Sequence, residues 1–220
     1  MPRSFVLFLS LALTQLTQAA IPAAPDRNEG EGPYTQLILR GVNVIDGTGA
    51  PPFGPADVVI EGNRIVNVVV VGSANSPIKE DGRPKLKDGG REINLTGKYV
   101  MPGLVDMHGH IGGEEQGTPA EYVYKLWLGH GITTIRDPGC GNGVDWCAGE
   151  QRRSAANHIT APRIYPYVFF GMGRDTPFTT PDQARQWVRA MKAKGAIGIK
   201  CFGYRPDILQ AALDEVKKQG

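Results

Sequence analysis

The sequence predicts an α/β protein: a short β-rich region, then strands and helices in alternation as in a parallel sheet. Three observations carry this reading. Between residues 36 and 101, short β-branched runs are separated by Gly, Pro and Asp-Gly turn signals. From Gly103 onward, four strand-like runs are each followed by a helix-like one. The 220 residues are 41% hydrophobic with a formal net charge of +2, which suits a globular chain of one or two domains. That charge, without any Lys/Arg run interleaved with aromatics, gives no case for nucleic acid.

The N-terminus reads as an export signal. Arg3 supplies a positive start and Phe5–Leu13 (FVLFLSLAL) an apolar run. Thr17-Gln18-Ala19 then puts small residues where a signal peptidase reads. The run is well short of the ~20 residues a membrane helix needs. A signal peptide over 1–19 is expected, with the mature chain starting at Ala20. That implies a secreted protein, the periplasm being the expected destination, with no membrane attachment after cleavage. A Pro/Gly/Glu-rich linker follows over 20–33.

The next elements are extended. Gln36–Arg40 and Val42–Ile45 are short strands before turns at Asp46-Gly47 and Ala50-Pro51-Pro52. Asp57–Glu61 and Arg64–Val71 flank Gly62-Asn63, a hairpin turn by its chemistry. After a polar stretch over 72–90, Arg91–Leu95 and Lys98–Met101 resume extended structure. A small β-sandwich or partial barrel is expected over 34–102.

Leu104–His108 opens the second part as a strand. Pro119–His130 reads as a helix stopped by Gly131, Ile132–Arg136 as a strand and Asp145–His158 as a helix. Arg163–Phe170 is a third strand, weakened by Pro166. Thr180-Pro181-Asp182-Gln183 starts a helix to Lys194, with Thr180 as N-cap and Gln183 closing a capping box. Ala196–Phe202 is the fourth strand and Pro206–Gln219 the fourth helix. Four βα units argue for a parallel sheet, either a barrel or an open doubly wound sheet. Gly109, Gly112 and Gly113 do not fit GxGxxG, so the dinucleotide-binding form of the open sheet lacks its main support.

Two of the four histidines stand together in Val105–Ile111 (VDMHGHI). Residues two apart on a strand share a face, so His108 and His110 are expected to project together at the strand's C-terminal end. Two neutral imidazoles so placed form half of a site for Zn²⁺ or a similar ion. By itself the HxH pattern fits two loop histidines bonded to carbonyls equally well. Asp106 shares their parity and suits a supporting role. Asp137, closing the second strand, faces the same end, although a turn before Pro138-Gly139 explains it equally. His130 and His158 read as helix-terminal residues, and Glu114 and Glu115 as solvated loop charges. Cys140 and Cys147 fit a disulfide or two free thiols, and with Cys201 they lack the paired knuckles of a Cys-only zinc site.

The surrounding residues sharpen the pattern. Met101–His110 (MPGLVDMHGH) resembles the PGLxDxHxH signature of the amidohydrolase superfamily of metal-dependent hydrolases. RGVNVIDGTG and DVVIEGNRIVNV upstream, and GITTIRD downstream, are similar to its β-sandwich and second-strand segments. The resemblance covers about residues 36 to 220. It implies a (β/α)₈ TIM-type barrel, of which the first four βα units lie in 103–220, preceded by a β-sandwich. It further implies one or two divalent metal ions, zinc being expected. His108 and His110 match ligands of the more buried metal. Lys200 stands where a carboxylated lysine bridging two metals belongs. Period two supports that position independently: Ala196, Gly198 and Lys200 should face the barrel interior, and Ile197, Ile199 and Cys201 the helices. A lysine aimed into a core is costly unless modified, paired or metal-bound; the other reading is a lysine that snorkels to solvent from a strand end.

The resemblance also implies two more histidine ligands, on the fifth and sixth strands, and a general-base aspartate on the eighth. These fall beyond Gly220, since the segment from Gly103 is about half of the ~250 residues of a full barrel. The chain is therefore expected to be an N-terminal fragment without the general base. The implied chemistry is hydrolysis of an amide, cyclic amide or amidine C–N bond in a small-molecule substrate, most like the imidazolonepropionase and Xaa-Pro dipeptidase-like branches. A homo-oligomer of the full-length form stays open. The alternative is a catalytically inactive secreted half-barrel that binds a metal or a partner.

Overall fold

The computed structural model describes residues 22–73 and 76–220. The expected signal peptide, and Ala20, lie outside the described residues.

The first unit is a five-stranded mixed sheet. It comprises β1 (Gln36–Val44), β2 (Phe53–Glu61), β3 (Arg64–Val70), β4 (Arg91–Asn94) and β5 (Tyr99–Val100). The order is β3-β2-β1-β4, with β5 also along β1. β1–β2 and β2–β3 are antiparallel, whereas β4 and β5 join β1 in parallel. The expected hairpin closes at Gly62-Asn63. Among the described residues this is one sheet, and the second sheet of the expected sandwich is not formed. The two strands expected over 36–45 are one strand, bulged between Leu39 and Val42. Gly41 sits in the bulge at φ +70, where an added Cβ would lie 2.7 Å from Thr96 Oγ1.

The bulge directs Gly41 N–H to Asp57 Oδ1 (3.0 Å), and Asp57 is also held by Arg40 (2.8 Å) and Arg83 (2.9 Å). Burial pushes the Asp57 carboxyl up, but its bonds from Arg83, Arg40 and Gly41 N–H outweigh that and hold it below the usual range. The polar 72–90 stretch thus wraps onto the sheet through Arg83 and through Pro84 O, which accepts from Arg40 (2.9 Å).

The second unit alternates β6 (Leu104–Asp106), α1 (Ala120–Gly129), β7 (Ile132–Asp137), α2 (Val144–Ala155), β8 (Arg163–Phe169), α3 (Pro181–Lys194), β9 (Gly198–Lys200) and α4 (Pro206–Gln219). The four strands lie side by side in chain order and all parallel. Pro166 is tolerated because its carbonyl faces the β9 side, accepting Ile197 N–H (3.0 Å), just where pairing with β9 begins. Thr180 caps α3 by accepting from Gln183 N–H (3.4 Å), and Gly195 closes it in the left-handed region at φ +102.

One face of this sheet is closed and the other is open. Ile135, Ile164 and Val168 pack into a core with Tyr124, Val144, Trp187 and Ile208 from the four helices. The alternate residues Thr134, Arg136, Tyr165 and Tyr167, with Val105 and Met107, line an open concavity of about 300 Å³. Among the described residues β6 and β9 are its edges, each paired on one side only. Among the described residues no helix is long and apolar enough to cross a membrane.

The 20–33 segment, described from residue 22, is held against the second unit and does not behave as a free linker. Ala24 is buried, and its N–H donates to Glu150 Oε2 (3.2 Å). Arg27 N–H donates to His158 O (2.7 Å), and Asp26 pairs with Arg153 (2.9 Å). Glu150 is buried as well, bonded to Tyr124 Oη (3.1 Å) and Arg153 (2.8 Å), so its charge is fully engaged.

Candidate metal site

The chain leaves β6 earlier than its pattern suggests. Asp106 ends the strand, and its Oδ1 accepts His108 N–H (2.8 Å), which turns the backbone over Met107-His108. Asp106 lies beside Ile135 in the parallel register, so it takes the helix-facing parity and does not share a strand face with the histidines. Gly109 N–H then donates to Arg136 O (3.2 Å), and Arg136 Nε donates back to Met107 O (2.7 Å). These bonds fix the His-Gly-His loop onto the end of β7.

The two rings meet all the same. Their centroids are 5.7 Å apart at an interplanar angle of 73°. His108 is exposed and His110 half-buried. The loop thus achieves the proximity that strand parity was expected to supply.

Asp137 joins them. Its buried Oδ1 lies 3.3 Å from His110 Nδ1 and accepts Gly139 N–H (3.0 Å) and Cys140 N–H (3.1 Å). The two readings of this residue are both satisfied: it forms the turn and it backs the ring. A carboxylate against Nδ1 favours the tautomer with its proton there and leaves Nε2 as the free donor atom. The legible signal was an Asp-Pro-Gly turn at the C-terminal end of a β-branched strand.

Lys200 ends β9, at the same end of the sheet but on its opposite edge. Three strand spacings separate these edges, roughly 14 Å along a flat sheet and less where the sheet curls. Lys200 Nζ lies 5.3 Å from the ring centres of both Phe169 and Phe202, which stack at 5.6 Å. The expected alternation holds only inside the three-residue strand. Gly198 lies beneath the Tyr167 ring on the open side, with Lys200, and Ile199 packs towards the helices. Ala196 instead closes α3, donating to Met191 O (3.0 Å), and is buried among the helices. Ile197 is exposed, and so is Cys201. Period two fails there because those residues are not in the strand.

The remaining expectations resolve simply. His130 Nδ1 lies 2.7 Å from Leu126 O at the end of α1. His158 lies beyond α2 and donates its N–H to Arg153 O (2.9 Å). Glu114 and Glu115 are exposed in a 3-10 turn. Cys140 and Cys147 are buried and unbridged, and Cys201 is exposed.

Fold and site together define a parallel α/β unit with a histidine pair and a supporting aspartate at the C-terminal end of its strands. In the comparison with family models, none matches the chain. An adenine deaminase of Methanoculleus marisnigri is 38% identical over 105 residues, 44% of this chain and 20% of that protein. A solved prolidase, complexed with N-methylphosphonate-L-proline, superposes with a TM-score of 0.62 at 22% identity, covering 84% of this chain and 54% of its own. A solved amidohydrolase gives 0.62 at 21%, covering 84% and 55%. The solved structures speak for the fold alone. The chain spans about a fifth of the deaminase's length and about half of each solved chain. Taken with the deaminase similarity, they relate this chain to the amidohydrolase superfamily.

Proposed function

We propose that the protein is a metal-dependent hydrolase of small-molecule C–N bonds, with His108 and His110 as metal ligands. The observation that carries this is the imidazole pair, 5.7 Å apart between ring centres, with Asp137 Oδ1 at 3.3 Å from His110 Nδ1. That donor set fits a divalent ion: two neutral nitrogen donors, one oriented by a carboxylate behind it. Such an ion, when bound, supplies Lewis-acid activation of water and of the scissile group.

This chain's residues hold and orient. Asp137 keeps the His110 ring turned with Nε2 outward. Arg136, bonded to Met107 O, pins the His-Gly-His loop to β7. Thr134, Arg136, Tyr165 and Tyr167 form one wall of the concavity below. Lys200 is the third proposed ligand, as a carboxylated lysine, and rests on the resemblance and on its open-side placement. Phe169 and Phe202 flank its amine and suit an ammonium as it stands. Carboxylation therefore needs a metal beside it. The general base is proposed on a later barrel strand. Zinc is the proposed metal, in one or two ions.

The substrate class is an amide, cyclic amide or amidine. The similarity to an adenine deaminase favours an aminated heterocycle, and the likeness to a prolidase a proline dipeptide. Export through the first nineteen residues is proposed on their charged, apolar and small-residue order.

The test uses protein expressed from its complete reading frame. Purified protein is analysed for bound metal and assayed on adenine, Xaa-Pro dipeptides, N-acyl amino acids and cyclic amides. His108→Ala and His110→Ala should each lose metal and turnover together, and Lys200→Ala should lose turnover. Full metal content and activity in either histidine variant would overturn the assignment. Wild-type activity in Lys200→Ala would remove the lysine from it.

A further inference from the structure

We infer that Cys140 and Cys147 are a disulfide-forming pair, and that their bond locks the turn that carries Asp137. Both residues are fully buried, at 0% exposure. Their sulfur atoms and an Asp137 oxygen all lie within 4.8 Å of one another. The backbone between them is already folded back: Gly143 N–H donates to Cys140 O (2.8 Å) and Cys147 N–H to Gly143 O (3.1 Å). Cys140 is held at φ +42, a left-handed conformation that few non-glycine residues adopt, and its N–H is committed to Asp137 Oδ1. The position is thus set by the fold before any covalent bond forms.

A metal on these same three groups fits less well. A structural zinc takes four donors, and among the described residues this buried group brings together three. Asp137 already engages two N–H donors through Oδ1. The two cysteines otherwise belong to an apolar core with Tyr124, Ile135 and Val144. A disulfide is uncharged, suits that core and needs no further ligand.

The oxidant is a low-molecular-weight disulfide such as oxidised glutathione. One cysteine loses its proton to solvent, and its thiolate attacks a sulfur of that disulfide, expelling one small thiolate. The second cysteine, deprotonated in turn, attacks the mixed disulfide and expels the other. Two protein thiols and one small disulfide become one protein disulfide and two small thiols. The hydrogen bond with Cys147, and then burial, push the Cys140 thiol above its ordinary range. Exchange in the folded state is therefore slow, and the bond forms as the chain folds. Once made, it ties the loop after β7 to the first turns of α2. Asp137 Oδ1, and with it the support behind His110, is then held more rigidly. That last consequence rests on the proposed role of His110, whereas the disulfide itself does not.

The test refolds the protein in a reduced/oxidised glutathione buffer, blocks free thiols with N-ethylmaleimide in denaturant, and maps tryptic peptides. Cleavage after Arg136 and Arg152 leaves both cysteines in one peptide, Asp137–Arg152. Expected is that peptide unlabelled and lighter by two hydrogens, Cys201 being outside it, with a melting midpoint that drops several degrees on reduction. Cys140→Ser and Cys147→Ser should each match the reduced wild type in melting. The doubly labelled peptide after refolding would overturn the proposal, as would a cross-link to Cys201. Labelling of the pair that appears only after a chelator strips bound zinc would overturn it in favour of a metal. An intact disulfide with loss of metal binding in His110→Ala leaves this inference standing, and an absent disulfide leaves the histidine site untouched.

Discussion

Replacing Asp137 separates the two tasks of that residue. In Asp137→Ala the buried Gly139 and Cys140 N–H groups lose the acceptor they share at 3.0 and 3.1 Å. An unsatisfied buried donor costs about 1–3 kcal/mol, so the variant should lose about 2–4 kcal/mol after partial relaxation of the turn. Against a typical stability of about 5–15 kcal/mol, that is a large fraction. Asp137→Asn keeps an oxygen at the same place and nearly the same volume. Its cost should stay under about 1 kcal/mol, because both donors can keep their partner. What Asn lacks is the charge facing His110 Nδ1 at 3.3 Å. Loss of such a supporting carboxylate lowers metal affinity by about 10–100-fold. Stability is read from urea unfolding followed by tryptophan fluorescence, and affinity from zinc competition with a chromophoric chelator. An Asn variant as unstable as the Ala variant would refute the account of the turn. Unchanged zinc affinity in a stable Asn variant would refute the account of the ring.

Further outcomes are expected elsewhere. Asp57 has its carboxyl held low, so its ion pairs with Arg40 and Arg83 stabilise the first sheet fully above the unfolded carboxylate pKa of about 3.9 and lose that effect as pH falls through the lower folded value. Unfolding measured from pH 6 to pH 2 should show this acid loss, and Asp57→Asn, less stable at neutral pH, should show less of it. Tyr124→Phe removes one donor from buried Glu150 and should cost about 1.5–3 kcal/mol in chemical denaturation, with faster proteolysis near residues 22–27 as Ala24 loosens. The 220-residue chain alone, with β6 and β9 unpaired on one side and Val105, Met107, Tyr165 and Tyr167 on the open face, should self-associate. A sharp monomer peak in light scattering at micromolar concentration would contradict that.

Much of this protein is legible one segment at a time. The hairpin at Gly62-Asn63, the Thr180 cap with Gly195 at the far end, and the α4 span Pro206–Gln219 follow from local backbone preferences, which need no distant partner. The alternation from Gly103 onward specifies a parallel sheet because only a crossover helix returns the chain in the same direction. The His-Gly-His pair was legible as a pair. Its mechanism was not: parity placed both rings on a strand face, whereas the strand stops at Asp106 and a turn held by the Asp106 carboxylate brings them together. The same limit explains Ala196 and Cys201, whose alternation would matter only in a strand longer than Gly198–Lys200.

Contacts between distant segments were decided by the tertiary structure. Residues 22–27 read as linker by composition, yet Ala24 meets Glu150 across 126 positions because a buried carboxylate requires donors wherever the fold supplies them. Asp137 could be a turn or a mouth residue until β6 and β7 lay side by side and brought His110 within 3.3 Å. The cysteine pair reads from sequence as bridged or free. What the tertiary structure adds is the proximity on which the proposed bond rests, with the turn at Cys140 and the first turns of α2 facing one another in an apolar core. Sequence determined which residues have the chemistry and which way each short segment folds, because those depend on neighbours along the chain. Which of those residues work together depended on pairing and burial between segments, and these are settled only when the strands and helices pack.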